Sequence, residues 1–379
     1  MTATPPTPPY VPAPPPTATT SEFIATLTGI IAAIVLLLLF DTALAQIDSR
    51  ERKAYAAKEF RAAEALMSSG RTRDAIDHLR SAASLDADNT AYGTALAQAI
   101  LSDGRPAAAE QMLLPLIERK PADGGANLAM ARVLVKQNRV DEAKFYYHRA
   151  IYGLWPDQPA TRRAAVRLEL IDLLARTNAR QELLAELLPM QDDSSNTLAM
   201  RKRIAHLFVV AGSPTRAIST FRDLLRRNPR DADAYLGLAE AALATGDFST
   251  ARADLVAASR LLPGDSSIIK RMVLIDSVIA IDPTQRGLSL GEQSRRTRNL
   301  LQKTLASLKS CLGTQAPEVG IALDSAERML VAPALTPSQG QNVEANLSLA
   351  EQLWGLRSTR CKPDGVDEAL ALVHERIAQ

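Results

Sequence analysis

The sequence predicts an all-α chain: one membrane-spanning helix, a solenoid of about six helix-turn-helix units, and a helical C-terminal cap. Three observations predict it. An uncharged run, FIATLTGIIAAIVLLLLF, occupies Phe23–Phe40. Further along, a small turn residue followed five places later by Ala recurs at intervals of 34 residues. The apolar surface comes mostly from Ala and Leu, with aromatics at only 4%. That profile suits closely packed helices better than strands, which draw on β-branched and aromatic residues.

The N-terminal 22 residues hold Pro5, Pro6, Pro8, Pro9, Pro12, Pro14, Pro15 and Pro16 and no Lys or Arg. Proline has no amide hydrogen and clashes inside a helix, so residues 1–22 read as a disordered or polyproline-like tail. Residues 23–45 then read as a transmembrane helix. About 20 apolar residues cross the hydrocarbon core, and a helix satisfies its own backbone there. Ala43-Leu44-Ala45 before Gln46 resembles a signal-peptidase site, but the positively charged leader such a peptide needs is missing. Arg50, Arg52, Lys53, Lys58 and Arg61 follow the span. By the positive-inside rule they place the large C-terminal part on the cytoplasmic side. The Ala-Leu-Ala site and a cysteine pair in the C-terminal part pull toward the extracytoplasmic side, which stands as the alternative; the expectation is the cytoplasmic side.

The repeat governs residues 46–265. Gly70 precedes Ala75, Gly104 precedes Ala109, Asn138 precedes Ala143, Gly212 precedes Ala217, and Gly246 precedes Ala251. Successive members lie 34 residues apart except across residues 138–212, which hold one degenerate unit and an insertion near Gly153–Gln158. In that unit Asn178 stands at the turn and Leu183 at the Ala position. Units therefore begin near residues 56, 90, 124, 164, 198 and 232. Ala63, Ala97, Ala131, Ala205 and Ala239 occupy the first helix of each hairpin where it must approach its partner closely. Glycine at the turn permits a left-handed backbone, and Pro121, Pro229 and Pro263 end second helices.

On these residues each unit resembles the tetratricopeptide repeat. The last unit carries the pattern best, with Tyr235, Leu238, Ala239, Gly246, Ala251, Leu255, Ala258 and Pro263. The family's Trp at the first signature position is absent throughout, and the fourth unit is degenerate. The resemblance implies a right-handed superhelical array that binds a protein or peptide on the face lined by first helices. Carried over position by position, that face holds Arg132, Lys136, Asp172, Arg176, Lys202, His206 and Glu240 as polar liners. Phe60, Leu128, Leu168 and Leu236 supply its apolar footholds. Its middle is mildly basic, which suits a segment of some acidic character. The family's carboxylate clamp is not supported, because its Asn positions hold Glu64, Gln98, Arg132, Asp172, His206 and Glu240.

The resemblance does not extend over residues 266–379, which read as a helical cap or small domain. Helices are expected over Ile268–Ile281, Glu292–Leu312, Val343–Arg357 and Val366–Ala378, with loops at Gly313–Gly320 and Ala332–Asn342. Cys311 and Cys361 lie in no zinc-binding pattern. They are either two idle thiols or one disulfide stapling the C-terminal helices in an oxidising compartment.

Catalytic patterns are lacking. His78, His148, His206 and His374 are scattered, no nucleophile elbow or phosphate-binding loop occurs, and Asp192-Asp193 reads as a capping and solvation feature. The net charge of +2, from 44 basic and 42 acidic residues, argues against a nucleic-acid binder. The expectation is a membrane-anchored interaction scaffold for assembly, trafficking or quality control of membrane or envelope components, with no enzymatic activity, cofactor, metal or small-molecule substrate. The alternative is a constitutive structural subunit of a larger membrane complex.

Overall fold

The computed structural model describes residues 20–191, 197–312, 317–331, 341–362 and 367–378. The prolines at positions 5–16, Asp192-Asp193, the loop residues 313–316 and 332–340, and Val366 lie outside the described residues. Those described form 17 α-helices and an isolated bridge, and they fall into two compact units, Met1–Leu170 and Ile171–Gln379.

In the first unit, α1 (Thr20–Ser68) is a single helix of 49 residues. At 1.5 Å per residue it is roughly 74 Å long. It contains the apolar run, whose side chains from Leu27 to Phe40 are exposed, and continues unbroken into the first repeat. Nothing between Asp41 and Ser68 interrupts it, because that stretch contains neither Gly nor Pro. Its second half packs Ala56 and Ala63, both fully buried, against α2 (Thr72–Leu85), and Glu59 meets His78 across the pair at 2.6 Å. The hairpins α3 (Thr90–Ser102) with α4 (Pro106–Arg119) and α5 (Gly124–Lys136) with α6 (Val140–Ile151) follow.

The stretch between α6 and α7 (Pro159–Arg176) is tied down by backbone and side-chain bonds. Leu154 N donates to Ala122 O at 2.7 Å, and Gly124 N donates to Leu154 O at 3.0 Å. The Trp155 ring lies over Gly124, where only a residue without Cβ fits, and its Nε1 donates to Ala150 O. The fourth first-helix begins at Pro159, ahead of the expected 164, because proline is well suited to a first helical position.

The second unit contains the end of α7, α8 (Arg180–Gln191), α9 (Leu198–Val210), α10 (Pro214–Arg227), α11 (Ala232–Ala244) and α12 (Phe248–Leu261). It continues through α13 (Ser266–Ile281), α14 (Leu290–Leu312), α15 (Pro317–Val331), α16 (Gln341–Arg360) and α17 (Glu368–Ile377). The expected loop over 313–320 gives way to α15 at Pro317, again a proline at a helix start.

One turn design recurs in both units. Gly70, Gly104, Asn138, Asn178, Gly212 and Gly246 all have φ between 54° and 81°. In each case the next residue's amide reaches back five residues, as Arg71 N does to Leu66 O and Asp247 N to Ala242 O, both at 2.9 Å. This C-terminal motif satisfies carbonyls that the helix end would otherwise leave bare. Asn stands in for Gly because it tolerates the left-handed region better than other side chains. Helix starts are equally regular. Asn89, Asp123, Thr197, Asp231 and Asp265 each accept an amide hydrogen from the first turn of the following helix.

The C-terminal helices share one core with the last hairpin. Phe248, Leu255, Ile268, Ile275, Val278, Leu300, Leu301, Leu308, Leu353 and Val373 are all buried in it. A disulfide joins Cys311, at the end of α14, to Cys361, just past α16, with Cα atoms 6.1 Å apart. Beside it Arg357 and Asp367 form a buried ion pair, and Ser307 bonds to both. Arg376 of α17 donates to Gly246 O, pairs with the buried Asp282 at 3.2 Å, and lies over the Phe248 ring. His374 stacks on Trp354 with ring centroids 4.9 Å apart. Thr304 Oγ1 donates to Leu300 O, so it accepts from His374 Nε2, leaving Nδ1 buried and unbonded.

Two expected outcomes follow from this packing. A Cβ at Gly237 would overlap the fully buried Phe221 ring, so Gly237→Ala is expected to cost about 1–3 kcal/mol by denaturant titration. Phe221→Leu should recover part of that loss in the Gly237→Ala background. Burial pushes the His374 pKa down to about 4. The unfolded chain therefore binds a proton near pH 6.5 that the folded chain refuses until about pH 4. Stability should fall as pH drops through that window, by roughly 3 kcal/mol in all. His374→Gln should lack that component in denaturation curves at pH 7 and pH 4.5.

Candidate functional site

The first helices of the hairpins carry the residues expected to meet a partner. Those helices are positioned by the fully buried Ala97, Ala131 and Ala205, with Ala239 at 2% exposure, so their neighbours can approach closely. The side chains that remain on the outward face are then set by helical register alone.

In the first unit, Phe60 is half-buried against Tyr92, with ring centroids 5.0 Å apart. Leu128 is 8% exposed and offers no foothold, because it is turned into the packing between helices. Leu168 is half-buried. Arg132 grips Glu169 of α7 with two hydrogen bonds, at 2.9 Å from Nε and 2.5 Å from Nη2. That bond, against some desolvation, raises the Arg132 pKa. Lys136 is exposed at the end of α5.

In the second unit, Asp172 pairs with Arg203 of α9. Lys202 contacts Asp231 at 2.7 Å and Asp233 at 3.4 Å. Burial opposes its charge, but the two carboxylates outweigh burial and raise its pKa. His206 Nδ1 lies 3.0 Å from Glu240 Oε2. The bond to Glu240 raises the His206 pKa, and the same bond lowers that of Glu240. Leu236 packs toward the C-terminal core, and Arg176 is exposed at the end of α7.

The structure thus brings most of the expected polar liners into ion pairs between successive first helices. The mildly basic character expected of these residues is largely offset by pairs that each lie within one unit. Glu169, Arg203, Asp231 and Asp233 were not among the residues expected on the face. A signal for the pairing exists in the sequence, because opposite charges recur about one repeat apart: 31 residues for Asp172 and Arg203, 34 for His206 and Glu240. Such partly exposed pairs contribute at most about 1 kcal/mol each, so they set register and neutralise charge more than they hold the fold. Among the described residues no group of three or more His, Cys, Asp or Glu side chains is arranged to hold a metal ion.

Comparison with known proteins agrees with the hairpin geometry. Two family profiles described as tetratricopeptide repeat match the chain, one over residues 66–124 and one over residues 202–266. No curated protein matches it. Among solved structures, the chain is similar to YrrB, a tetratricopeptide-repeat protein with an unusual peptide-binding site. The identity is 16%, with 51% of this chain and 96% of that chain covered and a TM-score of 0.40. It is similar to the C-terminal part of a repeat-containing protein from Cytophaga hutchinsonii at 12% identity, covering 70% and 98%, with a TM-score of 0.45. A tetratricopeptide-repeat protein from Parabacteroides merdae ATCC 43184 matches at 12% identity, covering 78% and 99%, with a TM-score of 0.39.

The His206–Glu240 contact has a measurable signature. The His206 imidazole should titrate above the ordinary histidine value in an NMR pH series, and Glu240→Gln should return it toward 6.5. The stabilisation it brings is full below pH 6.5 and is lost as pH rises through the folded-state pKa.

Proposed function

Because this chain is a tetratricopeptide-repeat protein, we propose that it is a membrane-anchored scaffold binding a protein partner on its first-helix faces. Its setting would be the assembly, trafficking or quality control of membrane or envelope components. The observation that carries the reading is the run of hairpins whose first helices keep polar, partly exposed faces while their small residues are consumed in packing. Tetratricopeptide repeats mediate protein–protein interaction, and their typical role is a non-catalytic one. One helix among the described residues, α1, is long and apolar enough to cross a membrane, and it is the proposed anchor.

The sidedness expected from Arg50, Arg52, Lys53, Lys58 and Arg61 conflicts with the cysteines. A disulfide between Cys311 and Cys361 supports an oxidising compartment, since thiols stay reduced in the cytosol. We favour the extracytoplasmic side for the repeats on that ground. Membrane-impermeant maleimide labelling of intact cells, with and without reductant, tests it. Protection of the thiols until reductant is added outside the cell is the expected result.

Ion pairing leaves Lys136 and Arg176 as the exposed cations at the ends of their helices. Lys136→Glu with Arg176→Glu, in the full chain solubilised in detergent, should reduce the yield of co-purified partner at least about fivefold while helicity is unchanged. Unchanged yield would overturn the proposed face. A constitutive subunit is the second reading, favoured by Phe145, Tyr152 and Leu154, which are 58%, 74% and 69% exposed on the first unit. That reading expects neighbours at fixed stoichiometry and a yield insensitive to the two charge reversals.

A further inference from the structure

The second unit contains a cleft that the repeat pattern does not account for. α13 keeps the repeat phase at its start, since its cap Asp265 follows Asp231 by one period. What comes next is not a second repeat helix. The chain passes through a loop into the longer α14, and α17 returns to pack on α13. A cleft of about 710 Å³ is left between α13, α14 and the first turn of α17. That volume falls within the range of about 300–1,000 Å³ typical of sites that take a small ligand or a few side chains.

Its walls are mixed: Val273, Leu274, Ile281, Ala306 and Leu370 supply the apolar part, and Ser277, Ser307 and Ser310 stand among them. Val273 is 61% exposed, and Ile269, one turn before it, is 50% exposed. Apolar surface therefore runs from the outside of α13 into the cleft. Lys270 and Lys303 stand at the rim, both exposed, and neither has an ion-pair partner among the described residues. Of the two carboxylates at the cleft, Asp367 is buried and taken by Arg357 and Ser307, which leaves Glu368. This contrasts with the first-helix faces, where most cations are neutralised by a neighbour. Two unpaired ammonium groups beside an apolar trough complement a segment carrying both a carboxylate and apolar side chains. Two lysines are too few for an anionic membrane surface, which is read by clusters of four to eight.

We infer that this cleft anchors an extended segment of the partner protein, its apolar side chains in the trough and its acidic side chain or C-terminal carboxylate between Lys270 and Lys303. The inference rests on the scaffold reading and deepens it, because it assigns part of the recognition to helices outside the repeats.

Selection of a displayed library of random 12-residue peptides against the full chain in detergent tests this. The enriched peptides are then measured against Lys270→Glu/Lys303→Glu, against Val273→Arg, which fills the trough, and against Lys136→Glu/Arg176→Glu. All five sites are exposed side chains, and circular dichroism checks that each variant folds. Enriched sequences should combine Asp, Glu or a free C-terminus with Leu, Ile, Val or Phe. Their affinity should fall at least about tenfold in the first two variants and stay unchanged in the third. Equal binding to the wild type and to Lys270→Glu/Lys303→Glu overturns the cleft assignment. If those peptides weaken only with Lys136→Glu/Arg176→Glu, the first-helix faces alone bind, and the scaffold reading stands without the cleft. No enrichment at all overturns both. A change in the chain's oligomeric mass on Lys270→Glu/Lys303→Glu would mean that a second copy occupies the cleft, and would also overturn the inference.

Discussion

Two helices can approach only as closely as the side chains between them allow, and most of this molecule follows from keeping that layer thin. Ala97 faces this requirement with Ala109, Ala131 with Ala143, Ala205 with Ala217, and Ala239 with Ala251, none more than 2% exposed. Methyl-sized contacts let backbones pack at the short end of the usual interhelical range. They also remove little apolar surface per residue, so stability has to come from repetition and from the larger Leu and Phe residues between layers. The fourth hairpin departs from the rule: Ile171 and Leu183 are larger side chains, yet both are fully buried. It accommodates them beside the one segment where the period is broken.

Thin packing has an electrostatic consequence. When first helices lie side by side, a charged residue on one is within reach of residues about one period away on the next. Arg132 with Glu169, Asp172 with Arg203 and His206 with Glu240 are the outcome. A face that looks basic residue by residue becomes nearly neutral once its rows are aligned. The charges left outside the rows sit at helix ends, as Lys136 and Arg176 do, and at the C-terminal cleft, as Lys270 and Lys303 do.

What could be read from the sequence was what repeats. The turns at Gly70, Gly104, Asn138, Asn178, Gly212 and Gly246 were legible because a left-handed backbone restricts the residue type, and all six have positive φ. The continuity of α1 was less visible, since a change from apolar to charged composition suggests a boundary where the backbone has none. Pro317 was read as part of a loop although proline also opens helices. The pairing on the first-helix faces escaped because it depends on the register between helices rather than on any one position. The C-terminal core escaped for a stronger reason: Thr304 meets His374 across 70 residues and Gly246 meets Arg376 across 130, with no period to announce either.

Those separations bear on how the chain is made. The hairpins are built from neighbours in sequence and can assemble as they leave the ribosome. The last core cannot, since Phe248 waits for Arg376 and Trp354 waits for His374, both on α17. Until α17 has been made, an apolar surface on α12, α13 and α16 stays uncovered. A chain cut before α17 keeps that surface open, so the cover over Phe248 and Trp354 depends on a helix that neither residue's own neighbourhood in sequence supplies.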